Sequence, residues 1–116
     1  MHNFQKLIFW QKSMNLAKEV YLLCHKLPQD EKFGLVSQMK RCAISIPSNI
    51  SEGSGRNGNK EFNYFLGISI GSSCELQTQL ILSEKLGLVD IESIQGLLAS
   101  INEIQKMIYT FMKTQN

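Results

Sequence analysis

Four stretches of this chain space apolar residues alternately three and four apart, and that rhythm permits little besides helices packed side by side. In the first stretch Leu7, Trp10, Met14, Ala17, Tyr21 and Cys24 form the stripe of a packed helix. Leu16, Val20, Leu23 and Leu27 form a second stripe on a neighbouring face. Pro28 should end this helix near Leu27, because a proline disfavours helical geometry in the residue before it. Leu35, Met39, Cys42, Ile46 and Asn49 mark a second helix, expected to begin near Glu31 with Asp30 as N-cap. The third opens after Arg56-Asn57-Gly58-Asn59 and carries Phe62, Phe65, Ser69, Ser72, Leu76, Gln79, Ser83 and Leu86, with Gly87 as its stop. The fourth follows Asp90, also a good N-cap, and shows Ile94, Leu97, Ile101, Ile104, Ile108 and Phe111. No strand pattern is present. Turns of a few residues between such helices predict an all-α, antiparallel, up-down-up-down four-helix bundle, one domain over residues 1–116. Helices of about 23 residues would span roughly 35 Å.

Two positions add detail. The rhythm of the second helix passes through Pro47 in phase, which predicts one helix kinked at Pro47 rather than two helices. An interior proline removes a backbone hydrogen bond, here the one to the Ala43 carbonyl, at about 3 kcal/mol. In the third helix, Gly71 and Ser72 predict a close approach of another helix, so a leucine at position 71 should not fit. The first helix is apolar over more than one stripe, more than a four-helix core uses. That surplus predicts a second buried surface, and self-association supplies it most simply.

Several functions are set aside on composition and spacing. The chain is 43% hydrophobic and 19% charged with a net charge of +2, ordinary for a globular domain. No apolar run approaches the roughly 18 residues of a membrane span. The N-terminus has no secretory pattern, so a cytoplasmic location and no membrane partner are expected. Cys24, Cys42 and Cys74 lie far apart without metal spacing and read as free thiols. His2 and His25 are the only histidines, and neither belongs to a Glu-x-x-His pair, so no metal or cofactor is expected. Residues 53–58 look superficially like a phosphate loop, but they follow a helix and lack the Gly-Lys-Ser/Thr ending. With no nucleophile elbow either, neither an enzyme nor a small-molecule substrate is expected.

Charged and polar residues leave two candidate sets. Arg41, Asn49 and Glu52 lie near one face of the second helix and read, with Glu75, as a buried polar network. In it Arg41 pairs with Glu75, and Asn49 serves backbone groups freed by Pro47. The second set is basic. Residues 1–60 hold nine Lys/Arg against four Asp/Glu, whereas 61–116 hold three against six, so the halves carry +5 and −3. Lys40, Arg56 and Lys60, with Lys12 and Lys18, are the candidate contacts for RNA or DNA. A single subunit at +2 is a weak polyanion binder, whereas five copies would carry +10.

The ordered motifs resemble a known family. Leu7-Ile8-Phe9-Trp10-Gln11-Lys12 is similar to its opening, and Leu35-Val36-Ser37-Gln38-Met39-Lys40-Arg41 to the run before its proline. Ser45-Ile46-Pro47-Ser48-Asn49-Ile50-Ser51-Glu52-Gly53 resembles its central segment. Lys60-Glu61-Phe62, Phe65-Leu66, Gly71-Ser72 and Glu75-Leu76-Gln77-Thr78-Gln79 resemble its third helix. By these residues the chain resembles the 23S rRNA intervening-sequence proteins, a family related to the accessory variability protein of diversity-generating retroelements. The resemblance implies a left-handed antiparallel bundle that assembles as a homopentamer, and no established chemistry. The retroelement protein is strongly basic and works with nucleic acid, a charge this chain lacks. Gly58 stands where the family often has Ser or Thr, and Cys42 and Ser51 where alanine is usual. Together these features point to a non-enzymatic homo-oligomeric scaffold, with a nucleic-acid accessory role as the alternative.

Overall fold

Four helices form where the periodicity places them: α1 (Ile8–Cys24), α2 (Ser37–Ser54), α3 (Asn59–Lys85) and α4 (Ile91–Lys113). The computed structural model describes residues 3–115, apart from the side chains of Lys32 and Phe33. Each helix packs on its neighbour in sequence and α1 closes on α4, giving the up-down-up-down bundle. Its long axis measures 44 Å against a 23 × 19 Å cross-section. Among the described residues no helix is long and apolar enough to cross a membrane.

The core is aliphatic. Leu16, Val20, Met39, Ile46, Ile50, Leu66, Leu76, Leu80, Ile101 and Ile104 are at most 1% exposed. In α1 the stripe that enters the core is Leu16, Val20 and Leu23, joined by Phe9 and Ser13. The Trp10–Tyr21 stripe lies on the flank, half-buried or exposed, contrary to its expected place in the packing face. Aliphatic side chains can be enclosed on every side, whereas Trp and Tyr carry a polar edge that keeps to water.

Helix ends show which local signals act. Asp90 Oδ1 accepts from the Ser93 amide at 3.0 Å, capping α4 as expected. Gly87 stops α3 with φ 74°, and the Leu88 amide donates back to the Ser83 carbonyl at 3.0 Å. Gly58 precedes α3 at φ 114°, a backbone that Ser or Thr rarely adopts, which accounts for glycine at this point. Two expected ends are corrected. Helix α1 stops at Cys24, three residues early, and Leu27 is held in the following turn by the hydrogen bond its amide donates to the Cys24 carbonyl. Asp30 makes no capping bond among the described residues: it lies in a short 3-10 turn (Gln29–Glu31), followed by a wide π-helical turn (Lys32–Val36) in which Gly34 leaves helical geometry at φ −104°, ψ −105°. Helix α2 therefore begins six residues later than the Glu31 start expected, then carries the buried Pro47 inside an unbroken helix.

Helices α2 and α3 are the most closely packed pair. The close approach falls at Gly53, where a Cβ would stand 2.8 Å from Phe65 Cβ and 2.9 Å from Phe62 Cδ1. It does not fall at Gly71, which is exposed and has open space around it. Helix phase is the reason: Gly71 lies two residues past the buried Ser69, which turns it to the outside. Its neighbour Ser72 does meet α2, with its hydroxyl 2.8 Å from that of Ser45. The fully buried Ser69 hydroxyl donates to the Ile46 carbonyl at 2.8 Å, so small polar residues stitch this seam.

Candidate interaction surface

The displaced stripe of α1 and the outer edge of α2 form a groove of about 420 Å³. Trp10, Met14, Ala17 and Tyr21 line one wall, and Ile44, Pro47 and Ser48 the other. Phe4 closes one end, its ring edge-on to Trp10 at 5.2 Å. Pro47 suits this wall because its ring is apolar and it has no amide to leave unpaired. Lys18 joins the lining, and the Lys40 ammonium sits over the Tyr21 ring at 5.0 Å. Neither lysine forms an ion pair among the described residues. Met14 and Ile44 remain 47% and 45% exposed, so the groove is an apolar surface with Lys18 in its lining and Lys40 at its edge.

A second unpartnered surface runs along the outside of α3. Glu61, Tyr64, Ile68, Gly71, Glu75, Thr78 and Leu82 follow a 3-4 rhythm and are all exposed. Tyr64 and Leu82 are 67% and 44% exposed. At the centre of the stripe, Gly67 and Gly71 have nothing within 4 Å of where a Cβ would stand, so the helix backbone itself is accessible there.

The candidate nucleic-acid residues do not converge. Lys12 faces α4 and pairs with Glu103 at 3.0 Å. Lys18 and Lys40 belong to the groove between α1 and α2. Arg56 pairs with Glu52 at 2.7 Å and stacks over the Phe65 ring at 4.8 Å, while Lys60 is exposed in the first turn of α3. Three locations therefore share five cations, two of them already neutralised by carboxylates.

The expected buried polar network is likewise divided. Arg41 does face Glu75, but at 3.9 Å with both side chains more than half exposed, and it donates to Gln38 Oε1 at 2.7 Å. Asn49 Nδ2 donates to the Ser45 carbonyl at 2.8 Å and to its hydroxyl at 2.9 Å, not to the Ala43 carbonyl that Pro47 leaves. Glu52 serves Arg56. The buried polar contacts are made instead by Ser69, by Ser83, whose hydroxyl donates to the Gln79 carbonyl at 2.8 Å, and by Gln79, whose amide nitrogen reaches Cys42 Sγ at 3.5 Å. Burial pushes the Cys24 and Cys42 thiols up from their ordinary pKa, against Lys40 and Gln79 respectively, so both resist thiolate chemistry. Among the described residues no group of His, Cys, Asp and Glu could hold a metal ion, and His2 lies outside them.

The model of the 23S rRNA-intervening sequence proteins matches residues 5–110 of this chain. The chain belongs to that family. A Bacteroides thetaiotaomicron protein of unknown function from the S23 ribosomal protein family has a similar structure, with a TM-score of 0.85 and 23% identity over 91% of this chain and 99% of that one. At that identity the likeness establishes the fold alone. No curated protein matches the chain. The family match takes in all of α1, α2 and α3 and most of α4, so the α3 stripe and, apart from Phe4, the groove lie within the matched residues.

Proposed function

We propose that this chain is a cytoplasmic homo-oligomeric interaction module with no catalytic step of its own. The observation that carries this reading is the pair of surfaces that leave large apolar side chains uncovered, the α1–α2 groove with Met14 and Ile44 and the outward stripe of α3 with Tyr64, Ile68 and Leu82. Exposed apolar patches of this kind on a small domain mark association sites. Five subunits is the number the family resemblance implies. Light scattering after size exclusion tests the reading: a mass of several times 13.2 kDa supports it, and a single subunit at micromolar concentration overturns it.

A second reading, contact with RNA or DNA, is favoured by Lys18 and Lys40 lying beside Trp10 and Tyr21, a pairing of cations with aromatic faces that suits unpaired bases. Binding to a single-stranded RNA that weakens steeply with added salt would support it. No binding at low salt would exclude it.

A further inference from the structure

We infer that the α1–α2 groove of one subunit receives the outward α3 stripe of the next, in a head-to-tail contact. This inference rests on the self-association reading above and specifies which surfaces meet.

Three observations carry it. The first is charge. The groove is lined by Lys18 and by no carboxylate, with Lys40 at its edge over the Tyr21 ring, whereas the stripe carries Glu61 and Glu75 on its exposed face. Glu61 has no ion pair among the described residues, and Glu75 is held only by the long 3.9 Å contact to Arg41 and by the neutral Cys42 thiol. The second is shape. The groove is concave and floored by Trp10, Met14, Ala17 and Ile44, and the stripe is convex with Tyr64, Ile68 and Leu82 projecting from it. The third is the pair of mid-helix glycines. Gly67 and Gly71 weaken α3 as helix formers, and nothing inside the subunit requires their small size. A neighbouring subunit pressed against the helix backbone does require it.

Groove and stripe lie on different faces, so the contact is heterologous. Repeated with rotation, it closes a ring; without closure it runs on as a filament. Each subunit uses both surfaces once.

The test uses two variants that the subunit tolerates, since both positions are exposed. Ile44→Glu puts a carboxylate on the groove floor to face the stripe's glutamates. Gly71→Leu fills the surface where the helix backbone is accessible. Each variant, checked for helicity by circular dichroism, should run as a 13.2 kDa subunit. Mixed in equal amounts, they should combine into a heterodimer of about twice that mass, because one intact groove still meets one intact stripe. A variant that keeps the wild-type mass overturns its surface. Two monomeric variants that fail to combine overturn the head-to-tail arrangement. A wild type that is itself monomeric overturns the self-association reading beneath it.

Discussion

Two glycines of this chain look alike in sequence and behave oppositely. Gly53 sits where α2 meets α3, and an added Cβ would fall 2.8 Å from Phe65 Cβ and 3.3 Å from the Phe62 carbonyl oxygen. Neither of those atoms can swing away, so Gly53→Ala should cost about 1–3 kcal/mol through overpacking. Gly96 lies exposed within α4 with open space around it. Gly96→Ala should therefore stabilise by about 0.5–1 kcal/mol through lower unfolded-state entropy. Urea unfolding of both variants measures the contrast, and equal effects of one sign would refute the packing account. Arg41 makes the opposite point about charge. Its partner Glu75 is 3.9 Å away and both side chains are more than half exposed. Arg41→Ala should change stability by less than about 1 kcal/mol, the range of surface ion pairs. A loss of several kcal/mol would restore the buried network that the sequence suggested.

At the scale of the helix, the ends decide more than the middles. Asp90 caps α4 with its carboxylate bonded to the Ser93 amide at 3.0 Å and hydroxyl at 2.6 Å. Those bonds favour the charged form and hold its pKa below the ordinary 3.8. The cap's contribution is then complete above that ordinary value and is lost as pH falls through the lower folded-state pKa. Asp90→Ala should lower the melting temperature at neutral pH, and the difference from wild type should shrink in acid below pH 3.8. A difference that stays constant down to pH 2 would rule out the carboxylate as its source. The start of α2 had no comparable signal. Leu35 stays in phase with Met39 although it lies in the π-helical turn, so periodicity does not mark where α2 begins, and the early start rested on Asp30 as a cap. Side-chain spacing records which face is apolar and is blind to a break that preserves the face.

For the whole molecule, the unequal halves resolve into surfaces. The basic N-terminal half supplies the groove cations and the acidic C-terminal half supplies the stripe glutamates. One consequence concerns heat stability. An associating subunit should melt at a temperature that rises with protein concentration, because its partner binds only the folded form. Scanning calorimetry over a range of about 100-fold in concentration measures this. A concentration-independent melt of the wild type would argue for a lone subunit, and Gly71→Leu should show that independence.

The sequence alone determined the helix count, the connectivity, the buried isoleucines and Leu97 of α4, and the ends at Gly87 and Asp90. Each of these follows from spacing or from a residue acting on its own backbone. In α3, by contrast, the sequence missed the buried Leu66, Ser73 and Leu80 and placed the exposed Leu86 in the core. Tertiary structure decided which of the two stripes of α1 is core and that Gly53 rather than Gly71 is the close contact. It also separated Lys12 from Lys18 and moved Arg41 and Glu75 out of the interior. These outcomes depend on how far each helix is rotated about its axis. That rotation is fixed by the summed packing of all four helices, and no single segment encodes it.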